Sequence, residues 1–192
     1  MALLATKLCR WYTICKQDAN NFKSFIYELL RIYYKKWGLI MTKGEIAKNN
    51  FLKGYNCSQS VLLAFCKDFG IDEKTALMLS SPFGGGMGRL REVCGAVSGM
   101  FMVLGLARGY IDTDTKEDKS RLYAEVQKLA EEFKKANSSI ICRELLQLRS
   151  TGKDNPVPSD RTEQYYKARP CKELCEFSAN LLERFLSEVE AG

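Results

Sequence analysis

From Thr42 onward, apolar residues recur every three to four positions, which is the spacing of one face of an α-helix. The two longest faces predict one helix that begins near Asp114 and a last helix that begins at Pro170, a residue suited to a first helical turn. The first face comprises Leu122, Tyr123, Val126, Leu129, Ala130 and Phe133. The second comprises Leu174, Ser178, Leu181, Leu182, Phe185 and Val189. No segment alternates like a half-buried strand, so the pattern predicts an all-α protein.

Capping residues divide the remainder of the chain into shorter helices. Thr42 and Glu45 have the spacing of a capping box, and Asp72 is a good N-cap residue. These signals predict a single compact bundle of about six to seven helices, with a glycine-rich loop at residues 84–88 before the central helix. The predicted helices cover residues 42–53, 56–69, 72–81 and 93–108, and three further stretches that begin near residues 114, 139 and 170.

Residues 1–40 differ from the rest in composition, because they are rich in aromatic residues and lysine and show weak periodicity. They carry seven Lys or Arg residues against Asp18 and Glu28. A fresh helix start follows Met41. We therefore expect residues 1–40 to be an N-terminal extension upstream of the true start at Met41, and residues 41–192 to form the helical domain. The rival interpretation is an amphipathic arm that packs on the domain or lies on a membrane surface.

The net charge of +6 is concentrated in residues 1–40, which leaves residues 41–192 near neutral. This distribution gives no electrostatic reason to expect nucleic-acid binding. The longest apolar run, residues 93–107, is shorter than the roughly 20 residues that span a bilayer, so we expect no transmembrane segment. The sequence shows no recognisable signal peptide, and we expect a cytoplasmic protein with reduced thiols.

The chain contains eight cysteines and no histidine. The absence of histidine removes His-based catalytic triads and His metal ligands. Four cysteines open predicted helices, where unpaired N–H groups and a partial positive charge stabilise the thiolate that attacks sulfur or binds metal. We predict these four as the catalytic residues: Cys57, Cys94, Cys142 and Cys171. Cys94, with Arg89 and Arg91 nearby in sequence, is the predicted attacking thiolate.

The other four cysteines carry weaker signals. Cys9 and Cys15 lie in the N-terminal segment. Cys66 faces away from the cysteine that opens its helix, and its apolar neighbours indicate ordinary burial. Cys175 lies one turn after the cysteine that opens the last helix, and we interpret it as a core residue.

Glycines cluster on both sides of Cys94. The loop before it can form a nest of backbone N–H groups for an anion or for cluster sulfurs, or it can be a plain flexible connector. Under the first interpretation the cofactor-binding residues are Gly84, Gly85, Gly86, Gly88 and Arg89. After Cys94, four glycines lie on one face of the predicted helix: Gly95, Gly99, Gly105 and Gly109. This stripe indicates that another helix packs closely there and brings a second cysteine near.

Four segments of the chain resemble the C_GCAxxG_C_C family of redox-active proteins, over about residues 42–188. The central segment is the glycine loop followed by Cys94-Gly95-Ala96-Val97-Ser98-Gly99, and the other three surround Cys57, Cys142 and Cys171. The resemblance selects the same four cysteines that helix position selects. It implies redox chemistry, and it places residues 1–40 beyond the usual start of the family.

Three functions remain open at this point. The first is thiol–disulfide chemistry, as in an oxidoreductase, in which Cys94 attacks and Cys57, Cys142 or Cys171 resolves the mixed disulfide with a thiol, electron or small-molecule partner. The second is binding of an iron–sulfur cluster or zinc by the same four thiolates. The third is a helical interaction module with structural cysteines. The segment Met100-Phe101-Met102 suits either a core or the seam of a homodimer.

Overall fold

A computed structural model describes residues 26, 29–30, 41–112, 116–149 and 154–189. The chain divides into two compact units, Met1–Met41 and Thr42–Gly192. Cys9, Cys15 and nearly all of residues 1–40 lie outside the described residues. The interpretation of that segment as an extension or as an arm therefore stays a prediction.

The described part of the second unit is all-α, as the apolar pattern predicts. It contains no strand, and its single isolated β-bridge joins Val93 to Ile141. The helices are α1 (Lys43–Leu52), α2 (Cys57–Phe65), α3 (Glu73–Ser80), a 3-10 turn (Ser81–Phe83), α4 (Gly84–Met87), α5 (Gly95–Arg108), α6 (Lys116–Asn137), α7 (Cys142–Leu145), α8 (Glu163–Lys167) and α9 (Cys171–Val189).

Side-chain caps fix the starts of three early helices at the predicted residues. Thr42 and Glu45 form a complete capping box at α1, and Asn56 forms another with Gln59 at α2. Asp72 accepts a hydrogen bond from the backbone N–H of Thr75 at 3.0 Å and caps α3. Each cap satisfies N–H groups that a helix start would otherwise leave without a partner.

The structure differs from the predicted elements in several places. Helix α2 ends at Phe65, and residues 66–70 form turns, so the helix is shorter than predicted. The predicted loop at residues 84–88 contains the single turn α4, in which Gly85 and Gly86 have positive φ angles, and the 3-10 turn precedes it. Helix α8 was not predicted; its signal in the sequence is Thr162, whose hydroxyl caps it by accepting from the N–H of Tyr165 at 3.2 Å.

The core forms where α9 packs on α1, α1 on α2 and α2 on α5. The predicted face of α9 is buried, apart from Val189, whose side chain lies outside the description. The predicted face of α6 is too wide, because Leu129 and Phe133 are buried whereas Tyr123 is 53% exposed. In α5, Met100 is buried, and Phe101 and Met102 pack against the core. Among the described residues, no helix is both long enough and apolar enough to cross a membrane.

Candidate functional site

The four predicted cysteines meet at one small cavity of about 60 Å³. Each belongs to the start of a different helix, as predicted: Cys57 begins α2, Cys94 is the N-cap of α5, Cys142 begins α7 and Cys171 begins α9. We call this cavity, which the four cysteines line together with Arg91, the cysteine pocket. The convergence of four helix starts is what brings thiols that are far apart in sequence together.

Glycine permits this convergence by the close approach that the stripe on α5 predicts. A Cβ atom at Gly95 would lie 3.1 Å from the Cβ of Cys57, and one at Gly99 would lie 2.8 Å from the carbonyl oxygen of Ser58. Helix α2 therefore packs directly against the start of α5. The second half of the stripe has no such role, because a Cβ at Gly105 would meet nothing within 4 Å.

Backbone hydrogen bonds join the segment that leads to Cys94 to the segment that leads to Cys142. The N–H of Cys94 donates to the carbonyl of Ile140 at 2.8 Å, and the N–H of Cys142 donates to the carbonyl of Glu92 at 2.6 Å. Gly86 packs against this junction so closely that a Cβ there would lie 2.5 Å from the Cβ of Cys142. These contacts hold the segment before α5 against the start of α7.

The glycine loop itself is held in an unusual backbone conformation. Gly85, Gly86 and Gly88 have positive φ angles, and so do Met87, Arg89 and Arg91, which have side chains that disfavour this region. Strain of this kind persists where surrounding structure imposes it, and it concentrates at functional sites. Here it directs the Arg91 side chain into the cysteine pocket.

Arg91 forms the charged side of the pocket. Its side chain is 3% exposed, and its Nη1 donates to the Sγ of Cys142 at 3.8 Å. Its Nε and Nη2 donate to the Oδ2 of Asp154 at 2.7 and 2.5 Å, and these hydrogen bonds hold the pKa of Asp154 below its usual value. Burial raises the pKa of Cys142, whereas the hydrogen bond from Arg91 opposes that rise.

In the structure, the two arginines that are predicted to assist Cys94 have other partners. Arg91 donates to the Sγ of Cys142, and Arg89 donates to the carbonyl oxygen of Asn155 at 2.5 Å and to Asp154 at 3.4 Å. Arg91 is near Cys142 because its segment lies alongside the start of α7, where the N–H of Arg143 donates to the carbonyl of Arg91 at 3.1 Å.

Cys94 shows that a helix N-terminus alone does not produce a thiolate. The N–H groups of Ala96 and Val97 lower the pKa of its thiol, as predicted. Burial and the nearby Cys142 act more strongly and raise that pKa to about 12. The Cys94 side chain is 4% exposed, so the cost of burying a charge exceeds the effect of the helix end.

Cys57 and Cys171 also line the pocket, and Cys175 lies behind them in the core. The interaction between Cys57 and Cys171 lowers the pKa of Cys57 and raises that of Cys171 well above its usual range. The interaction with Cys175, together with burial, outweighs this and leaves the pKa of Cys57 raised. Cys57 is half-buried and is thus more accessible than the other thiols of the cluster.

Cys175 is a member of the cluster that sequence reasoning missed. Its side chain is fully buried, as a core residue should be, and its burial raises the pKa of its thiol. Its Sγ also donates to the carbonyl oxygen of Cys57 at 3.7 Å. Its one-turn spacing from Cys171 was the available signal, because residues one turn apart share a helix face. Cys66 is buried away from the pocket, where its Sγ donates to Leu63, as predicted.

A second cavity, of 260 Å³, adjoins the cysteine pocket. We call it the arginine cavity, because four guanidinium groups line it: Arg89, Arg91, Arg161 and Arg169. The predicted cofactor-binding residues are distributed over the two cavities. Gly86 lines the cysteine pocket alone and Gly85 lines both cavities, whereas Gly84, Gly88 and Arg89 line the arginine cavity alone. Arg161 and Arg169 were not predicted, since nothing in the irregular segment around them indicated a site.

The same thiols are candidate metal ligands. An all-sulfur donor set suits iron–sulfur clusters and zinc in its chemistry. In the described part of the chain, however, no three Cys, His, Asp or Glu side chains are arranged so that they could hold a metal ion. All five clustered cysteines are free thiols, and Cys142 accepts a hydrogen bond from Arg91, so the side chains as they stand do not fit a metal site.

Residues 55–185 match a family model that is described as "Putative redox-active protein (C_GCAxxG_C_C)". The matched span contains all five clustered cysteines and both arginine-bearing segments. No curated protein and no solved structure matches the chain. The match therefore supports redox activity in general and does not indicate a specific reaction.

Proposed function

This chain belongs to the C_GCAxxG_C_C family of redox-active proteins, and from that premise we propose that it is a thiol–disulfide oxidoreductase whose working pair is Cys57 and Cys171. The observation that carries the proposal is the position of these two thiols, which line the same pocket at the starts of α2 and α9 and each of which shifts the pKa of the other. We thus assign the attacking sulfur to Cys57 and not to Cys94, the residue that the sequence favours.

Accessibility supports Cys57 as the attacking sulfur. A partner disulfide must reach the attacking atom, and Cys57 is half-buried whereas Cys94 is buried. The interaction with Cys171 lowers the pKa of Cys57, while Cys175 and burial leave that pKa raised overall. Disulfide exchange also requires a second thiol that can attack the mixed disulfide in turn, and Cys171 lines the same pocket.

The reaction conserves atoms and electrons with a disulfide as the oxidant. The Cys57 thiol loses its proton to solvent, and its thiolate attacks one sulfur of the disulfide, which expels the first thiolate. The Cys171 sulfur then attacks Cys57, its proton passes to the second departing thiolate, and an intramolecular disulfide forms. The protein dithiol is oxidised by two electrons, and the substrate disulfide is reduced to two thiols.

Titration with a disulfide followed by intact mass and peptide mapping tests this. The wild-type protein should lose two hydrogens and yield a Cys57–Cys171 peptide. Cys57→Ser and Cys171→Ser should abolish that product, whereas Cys66→Ser, outside the pocket, should retain it. A disulfide that maps to Cys94, or no disulfide in a protein whose circular dichroism shows native helix, would contradict the assignment.

The alternative is that the four cysteines Cys57, Cys94, Cys142 and Cys171 hold an iron–sulfur cluster or zinc. Their convergence on one pocket favours it, although the side chains would have to leave their present hydrogen bonds. Elemental analysis of protein purified without oxygen distinguishes the two functions. Stoichiometric iron or zinc that is lost in Cys142→Ser would replace the dithiol proposal, because Cys142 is not part of the proposed exchanging pair.

A further inference from the structure

The arginine cavity has a large excess of positive charge. Four guanidinium groups line it, and the carboxylate next to it in the described part of the chain, Asp154, is already shared between Arg89 and Arg91. Arginine presents several N–H donors in a fixed plane that matches a carboxylate or phosphate group. The cavity therefore has the composition of an anion-binding site.

Two of the arginines are fixed in place without a carboxylate. Arg161 donates to the carbonyl oxygens of Phe51 and Tyr55, both at 2.9 Å, and stacks on the Phe51 ring with its Cζ 4.4 Å from the centroid. Arg169 stacks on the Tyr165 ring at 4.7 Å, and no carboxylate of the described residues pairs with it. Stacking orients a guanidinium while leaving its N–H edge available, so Arg169 is placed to receive an anion.

The arginine cavity opens onto the cysteine pocket. Arg161, Tyr165 and Arg169 line both cavities, as do Asn56, Gly85 and Arg91. An anionic group held at Arg169 therefore lies next to the space that Cys57 faces. The cavity of 260 Å³ is at the small end of ligand pockets, which are roughly 300–1,000 Å³. It suits a small molecule.

We infer that the substrate of the proposed exchange is a small disulfide that carries carboxylate groups, and that Arg169 binds one of them while Cys57 attacks the sulfur. This inference rests on the proposed function. Charge attraction brings the anionic disulfide to the pocket, and the stacked guanidinium fixes its orientation. The Cys57 thiolate displaces one carboxylate-bearing thiolate, Cys171 displaces the second, and two anionic thiols leave as the protein disulfide forms.

Two aromatic disulfides that differ in charge test the inference: dithiobis(nitrobenzoate), which carries two carboxylates, and dithiodipyridine, which is neutral. The rate of reaction with each is measured for the wild-type protein, for Arg169→Gln and for the matched control Lys167→Gln. Lys167 is close in sequence and carries the same charge, but it does not line either cavity. We expect Arg169→Gln to lower the rate ratio of anionic to neutral disulfide about tenfold, the effect of one lost hydrogen bond to a charged group. Lys167→Gln should leave the ratio nearly unchanged.

The outcomes separate this inference from the proposed function. If the wild-type protein forms the Cys57–Cys171 disulfide with both reagents but Arg169→Gln leaves the rate ratio unchanged, the exchange chemistry stands and the anion site is refuted. An equal fall in the ratio for both variants would also refute it, because that indicates general charge attraction. If neither reagent oxidises Cys57, the proposed function fails first.

Discussion

The two sides of the cysteine pocket place the same functional group in different surroundings. On the thiol side, Cys57, Cys171 and Cys175 are close enough to one another for each to shift the pKa of a neighbouring thiol. On the guanidinium side, Cys142 has Arg91, which Asp154 in turn neutralises. All four sulfurs lie in or just beyond the first turn of a helix, yet their protonation is controlled by different neighbours.

At these thiols, the helix end therefore affects the pKa less than burial does. Each buried thiol has a raised pKa, because a charge without a compensating partner is costly in a pocket that excludes water. A guanidinium offsets part of that cost at Cys142, and the interaction with Cys171 offsets part of it at Cys57. The reactive sulfur is therefore selected by its contacts across helices.

The change with the largest expected effect adds a methyl group to the close packing next to Cys142. Gly86→Ala places a Cβ 2.5 Å from the Cβ of Cys142 at a residue whose φ is +70°. We expect the free energy of unfolding to fall by about 2–5 kcal/mol, as the left-handed backbone and the overpacking add. Urea denaturation measures it.

Gly88→Ala is the matched control for that substitution. Its φ of +61° imposes a similar backbone cost, but the nearest atom to its Cβ would be the Pro82 carbonyl oxygen at an ordinary 3.7 Å. We expect a loss of about 1–2 kcal/mol from the backbone alone. Equal losses for the two variants would show that contact with Cys142 is unimportant.

Alkaline pH should next reveal the buried, uncharged thiols. Because folded Cys94 keeps its proton up to about pH 12 whereas an unfolded thiol loses it near 9, its stabilising contribution is complete below pH 9 and falls as the pH rises. The slope is about 1.4 kcal/mol per pH unit for one thiol. Urea denaturation of Cys94→Ala in this range should show a slope that is shallower by about that amount. An unchanged slope would mean that Cys94 is not buried as a thiol.

The smallest effect, and the one that separates the two sides most finely, concerns the charge on Arg91. Asp154→Asn removes its carboxylate partner, so Arg91 should stabilise the Cys142 thiolate more and lower its pKa. Arg91→Gln should raise that pKa. Alkylation at Cys142, followed by peptide mass spectrometry, should accelerate in the first variant and slow in the second, by about tenfold per unit of pKa. Alkylation at Cys57 should change much less, and a parallel change at both sulfurs would refute the division into two sides.

Much of the fold was predictable because its signals are local. Capping boxes fixed the starts of α1 and α2, and apolar spacing marked the long α6 and α9. Four cysteines at helix starts were readable for the same reason. The close contact at Gly95 and Gly99 was also predictable, because small residues on one face of a helix permit another backbone to approach.

The arrangement around the thiols was not predictable, because it depends on residues far apart in the chain. Arg91 donates to Cys142, which is far away in sequence, because backbone hydrogen bonds hold the segment of Arg91 against the start of α7. Cys175 joins the cluster through its contact with Cys57 in another helix. Arg161 and Arg169 reach the pocket from a segment that has no periodic pattern.

An all-α domain and a set of cysteines at helix starts follow from the sequence alone, since helix periodicity and capping are properties of neighbouring residues. The packing of the helices sets which thiols lie close together, which one faces a guanidinium and which one is accessible. The physical reason is that burial and contact with charges set the state of a thiol, and both arise when distant helices pack together.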